Sequence, residues 1–346
     1  MEAAFNESSK SSLSSSPPAL AGESPLGLIE KARVMAGCGA ASLLLYTMGW
    51  MVARPVDPAL PITFVRSGQS MAAAWLGLAV LTAVAGIVGT VISGRRLPQA
   101  GLFAAGIGLA VLSLHGGSMF NWMASEGAVT PAARAAFMKI VALDCALWAA
   151  LMFVVWIATS LAYRWIWSNV STASAVVSLS ASSAESRRQP SIPTGGARPN
   201  GAKRDKVPAG WAALAVTTVI GVFVIWLTAG RNPVAPAQRG QTIAAVAAGL
   251  YFGAMIGRYF TGVQEARWYL LAVPAIGFLA ALVSYFSADM SWAQGSLWQP
   301  YIHLATTPVH DLARPLPVEY IAVGTVAALI GFWSGDKAEQ VALEVV

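Results

Sequence analysis

Long runs of apolar residues, separated by short polar stretches, dominate the pattern of this chain. Eight runs are read, near 34–53, 71–93, 99–116, 137–163, 209–229, 242–262, 268–287 and 317–334. A helix needs about 20 mainly apolar residues to cross roughly 30 Å of hydrocarbon, and six of the runs reach that length comfortably. The third and eighth are shorter. Glycine and proline inside several runs fit membrane helices, whose freed backbone groups are satisfied by neighbouring helices. The pattern therefore predicts an all-α membrane protein with about eight transmembrane helices.

The runs fall into two sets of four. Residues 66–78, Arg-Ser-Gly-Gln-Ser-Met-Ala-Ala-Ala-Trp-Leu-Gly-Leu, return at 238–250 as Gln-Arg-Gly-Gln-Thr-Ile-Ala-Ala-Val-Ala-Ala-Gly-Leu. The same register sets Arg95 against Arg267, and Trp50-x-x-Ala53 matches Trp226-x-x-Ala229. Each copy holds an even number of spans, so both enter the bilayer from one side. The expectation is two parallel four-helix repeats with pseudo-two-fold symmetry about the membrane normal.

Five segments follow: a disordered cytosolic tail at 1–30, a first membrane repeat at 31–167, a flexible basic linker at 168–208, a second repeat at 209–335 and a short cytosolic tail at 336–346. The tail and linker are rich in Ser, Pro and Gly and carry too little apolar surface to offset the entropy of ordering. The tail lacks the basic start and apolar stretch of a cleavable signal peptide.

Composition sharpens the class. Apolar residues make up 56% of the chain and charged residues 11%, against about 25% charged in soluble domains. The net charge of +6 reflects topology. With both termini in the cytosol, fifteen of the 22 Lys and Arg residues fall on the cytosolic side, as the positive-inside rule asks. The location expected is a cell membrane, by composition a bacterial plasma membrane. The partners expected are the lipid bilayer and other membrane proteins or a second copy of the chain, with no nucleic acid.

Candidate chemistry is sparse. A charge at mid-span costs about 2.5–3.5 kcal/mol on insertion scales, so Asp144 in the fourth run needs a reason. It stands five residues beyond Lys139, roughly 7 Å deeper and about 140° around the helix, and so turns toward another helix or a wet cavity. Lys139 and Glu319 each follow an Ala-Arg pair (Ala133-Arg134, Ala313-Arg314) by five residues. Opposite charges at matched positions suggest a pair across the pseudo-axis. Gln69 and Gln241, in the repeated motif, are candidates for the mouths of a passage, and Arg258 is expected to snorkel to the cytosol.

Gly249, Gly253 and Gly257 form a stripe at four-residue spacing, with Gly77 and Gly89 on the second run as counterparts. Small residues let membrane helices approach closely, and the expected contact is between the second and sixth spans.

His115, His303 and His310, with Asp311, fall on the predicted outer side and are weak metal candidates, since no HxxxH or HExxH spacing occurs. Cys38 and Cys145 read as apolar buried thiols. The segment 287–316, with Trp292 and Trp298, reads as an interfacial lid. No Walker loop, dinucleotide fingerprint, zincin helix or nucleophile elbow is present. No cofactor is expected. The chain reads first as a non-enzymatic structural or complex-associated membrane subunit. The alternative is a small-solute or ion transporter with its site between the repeats and Asp144 as coupling carboxylate. A membrane metal or redox enzyme using the outer histidines ranks third.

Overall fold

The computed structural model describes residues 27–128, 130–182, 206–229, 239–288 and 310–345. Nine α-helices are named among these residues: α1 Leu28–Ala53, α2 Met71–Ser93, α3 Ala100–Ser113, α4 Met119–Ser125, α5 Pro131–Ser182, α6 Lys206–Thr228, α7 Arg239–Thr261, α8 Ala266–Phe286 and α9 Pro317–Val345. Seven of them contain a stretch long and apolar enough to cross a membrane. The exceptions are the short α4 and α3, whose 14 residues rise only about 21 Å.

The third run therefore gives a helix shorter than the 99–116 reading, and for a clear reason: α3 is buried among other helices rather than set in lipid. It runs antiparallel to α9. Near its start Phe103 lies 5.3 Å from the Trp333 ring. Midway, a Cβ on Gly106 would stand 2.9 Å from Val326, and the C-terminal carbonyls of α3 reach the start of α9 through Arg239. Two ends of the bundle can thus be named from α9, the Glu319 end and the Arg258 end.

Surface and interior follow membrane rules. On α2 the exposed face carries Leu76, Val80, Val84 and Val91, while Ala74, Leu78, Thr82, Ala85 and Gly89 are buried. On α7 Phe252, Tyr259 and Phe260 point outward, and Ala245, Gly249, Gly253 and Gly257 inward. Bulky apolar side chains outside and small ones inside suit lipid as solvent and close backbone contact as the means of association. The protein is a multi-pass α-helical bundle with the surface of a membrane protein.

α9 is the hub: from Val318 to Phe332 every residue but Ile330 is buried. It packs on α7, α3, α8 and α5. α5 in turn packs on α2 and α8, and α6 on α7 and α8. Hence α5 of the first half lies on α8 of the second, and α9 of the second half lies on α3 of the first.

The glycine stripe packs differently from the expected contact between spans two and six. Gly249, Gly253 and Gly257 face α6: Cβ atoms there would stand 2.5 Å from Ile225 Cγ1, 2.7 Å from the Thr217 carbonyl and 2.6 Å from Thr217 Oγ1. Gly77 meets Val52 of α1, and Gly89 meets Ala104 of α3. These glycines thus seat each half's own helices together. We expect Gly253→Ala to cost about 1–3 kcal/mol from overpacking against backbone, measured by unfolding in mild detergent. Gly39→Ala, where a Cβ would meet nothing within 4 Å, should cost nothing or stabilise slightly.

The helix boundaries also move outward. α5 continues to Ser182, past the boundary read at 167, because no Pro or Gly interrupts the sequence between Pro131 and Ser182. The repeated motif takes two local forms. Ser70 caps the start of α2, accepting from the Ala73 N–H at 3.3 Å, whereas its counterpart Thr242 already lies in the first turn of α7. The N-terminal tail, most of the linker, His303 and most of the 287–316 segment fall outside the described residues.

Candidate functional site

The chain between α1 and α2 is tucked into the Glu319 end. Ile62, Thr63 and Phe64 are buried, and Pro55 bridges Ser67 to pinch the loop shut. Glycine is required where this loop crosses the α3–α4 connection: a Cβ on Gly117 would stand 1.9 Å from the Ala59 carbonyl. Gly117 N–H donates to the Leu60 carbonyl at 2.9 Å, and Asn121 Nδ2 to that of Ala59 at 2.9 Å. Arg66 forks onto both carboxylate oxygens of Glu126.

Asp144 is what this loop lands on. The carboxylate is 0% exposed. Its Oδ1 accepts from the Phe64 N–H at 2.7 Å and its Oδ2 from Trp148 Nε1 at 3.0 Å, with the Phe64 and Trp148 rings 4.5 Å apart beside it. Sequence reasoning turned Asp144 toward another helix or a wet cavity. Instead it meets the backbone of a loop that dips into the bundle, where irregular chain survives only because protein satisfies its N–H groups.

A second polar node joins the two halves. Glu319, 1% exposed in the first turn of α9, takes Arg239 Nε at 3.1 Å on Oε1. Its Oε2 takes the Leu316 N–H at 3.0 Å and the Thr242 hydroxyl at 3.2 Å. The remaining N–H groups of Arg239 donate to the carbonyls of Ser113, Leu114 and Gly116. Both charges sit where helix dipoles favour them, the carboxylate at the start of α9 and the guanidinium at the end of α3. Three helices are closed by one ion pair.

The expected pair of Lys139 with Glu319 is not made. Lys139 Nζ lies 5.5 Å from the Tyr285 ring centroid, and Arg239 holds the carboxylate. Arg258 does not snorkel either: it is 5% exposed, donates to the Phe332 carbonyl at 3.1 Å and lies 4.0 Å from that residue's ring centroid. Gln69 and Gln241 are exposed at separate places. The Gln69 N–H donates to Ser67 Oγ, and Gln241 Nε2 donates to the Thr228 carbonyl, capping α6.

His115 stands between Tyr46 and Trp50, with ring centroids 3.8 and 4.8 Å away, beside a π-helical turn at Leu45–Gly49. His310 Nδ1 accepts from the Leu312 N–H at 3.3 Å, and Asp311 pairs with Arg314 at 2.9 Å. Among the described residues no three His, Cys, Asp or Glu side chains are grouped to hold a metal ion.

Burial, helped by Arg239, keeps the His115 imidazole below its usual range. For His310 burial also lowers it, against a raising effect of Asp311 and with a lowering one from Arg314. A depressed folded value means the unfolded chain binds the extra protons first, so stability falls as pH drops through the unfolded value near about 6.5. Thermal unfolding in detergent should show a downward slope from pH 7 to 5.5. His115→Phe, which keeps the ring stack and takes no proton, should make the slope shallower and leave the His310 share.

A cavity opens between the halves, walled by α3, α5, α8 and α9. Met152, Phe153, Trp156, Pro274 and Thr325 line it, and Arg267 is its charged residue. None of Asp144, Gln69, Gln241, Lys139 or Glu319 lines it. The sequence flagged Arg267 only as the partner of Arg95 in the repeat. The one further sign was Pro274 inside an apolar run, which denies an N–H to the Leu270 carbonyl. Comparison with protein-family models, curated proteins and solved structures finds no match to this chain.

Proposed function

We propose that this chain is a non-enzymatic, complex-associated subunit of a membrane assembly, built as two parallel four-helix repeats. The observation that carries this reading is the use made of the bundle's charges. Asp144, Glu319 and Arg239 are each occupied by partners inside the chain, as expected of ties rather than of a site awaiting a solute. The doubled architecture is supported by the reciprocal packing of α5 on α8 and of α9 on α3, with α5 meeting α9 between them. Arg134, in the first turn of α5, and Arg314, three residues before α9, are both buried, at 5% and 6% exposed. The distribution of Lys and Arg supports both termini in the cytosol.

Purification in mild detergent is expected to recover at least one membrane partner at fixed stoichiometry. Recovery of the chain alone, together with a solute or proton flux in vesicles that Asp144→Asn abolishes without loss of fold, would contradict the reading. The transporter alternative draws on one observation, a cavity that lies between the halves. Apart from Arg267 and Thr325 its walls are apolar, which suits an apolar chain better than an ion or a polar solute.

A further inference from the structure

The cavity between α5 and α8 has the form of a lipid site. From the exposures of Phe153 and Leu271, 53% and 46%, it opens sideways onto the apolar surface of the bundle. Along α8 it extends from Arg267 in the first turn to Pro274, seven residues and about 10 Å into the bundle. Its floor is Ile321 and Thr325 of α9. Its one charged residue thus stands at the end, at the level where the helices leave the apolar layer, and everything deeper is apolar apart from Thr325 and the Leu270 carbonyl.

We infer that this groove binds one acyl chain of an anionic phospholipid, with the headgroup phosphate on Arg267. Three features fix the chemistry. Arg267 is half exposed at the surface, where a phosphate can reach it, and is paired with Glu265 at 2.8 Å. That carboxylate also accepts from Trp268 Nε1 at 3.2 Å, so Glu265 has a second donor when a phosphate competes for the guanidinium. Arg95, in the α2–α3 connection at this same end, lies beside Arg164, since the Tyr163 hydroxyl, one residue before Arg164, donates to the Arg95 carbonyl at 2.7 Å, whereas Arg96 is paired with Glu30. A basic end attracts anionic lipid at about 1 kcal/mol for each cationic side chain near the surface.

The test uses the full chain, delipidated in detergent and titrated with phosphatidylglycerol or phosphatidylcholine under native mass spectrometry. One equivalent of phosphatidylglycerol should bind several-fold more tightly than phosphatidylcholine. Arg267→Gln should weaken it about five-fold, the factor equivalent to one cationic contact, and Glu265→Gln, which releases Arg267, should strengthen it. Ala149→Phe, which fills the groove, should remove binding of both lipids, and inorganic phosphate should not compete. A photoreactive residue at position 153 should capture phospholipid. Equal affinity of wild type and Arg267→Gln, no preference between the lipids, or capture of a polypeptide at position 153 would each overturn the assignment. Arg267→Gln lies on the surface and folds whatever becomes of Ala149→Phe.

Discussion

Replacing Glu319 with alanine is expected to destabilise the bundle by about 3 kcal/mol. Removal of one partner of a buried ion pair costs about 3–5 kcal/mol, because the other charge is left without compensation. The lower end applies here, since Arg239 is partly exposed and keeps the Ser113, Leu114 and Gly116 carbonyls. The change also strips the acceptor from the Leu316 N–H, whereas the Thr242 hydroxyl keeps the Arg239 carbonyl at 2.9 Å. Glu319→Gln retains an oxygen for the Leu316 N–H and should cost less, about 1–2 kcal/mol. Arg239→Ala should match the loss of Glu319→Ala, and the double variant should be less damaging than the sum by more than 1 kcal/mol. Denaturant unfolding in mild detergent measures all four. Additive losses would mean that the pair is not the tie joining the end of α3 to α7 and α9.

Asp144→Ala is the second large effect. It deprives two buried donors, the Phe64 N–H and Trp148 Nε1, of their only shared acceptor. Each unsatisfied buried donor costs about 1–3 kcal/mol, so a loss of about 2–4 kcal/mol is expected. Asp144→Asn should fall between wild type and alanine. Its amide oxygen still accepts from Phe64, but its NH₂ then faces the Trp148 N–H, donor against donor. A coupling carboxylate would behave oppositely, with fold intact and flux lost in the asparagine variant.

Much of the fold could be read from the chain because lipid imposes length and apolarity on each helix separately. The run at 71–93 coincides with α2, and those at 242–262 and 268–287 lie within a few residues of α7 and α8. α3 was overestimated because the rule for crossing lipid does not govern a helix surrounded by protein. The cost of burying charge correctly singled out Asp144 and Glu319. Their partners were not legible. Asp144 binds the backbone N–H of a residue 80 positions away, in a loop with no periodicity to reveal its depth. Nothing in the sequence singles out Arg239, because the carbonyls it caps belong to a helix end, which no side-chain pattern marks. The glycine stripes were recognised as packing surfaces, but four-residue spacing specifies a close neighbour without naming which helix supplies it.

Hydrogen exchange of the 54–70 loop in wild type and Asp144→Ala measures the central claim directly, that charges inside this bundle hold its parts together. Wild type should protect the amides of Phe64 and its neighbours, and the alanine variant should lose that protection while α6 and α7 keep theirs. A loop equally protected in both proteins would contradict the account.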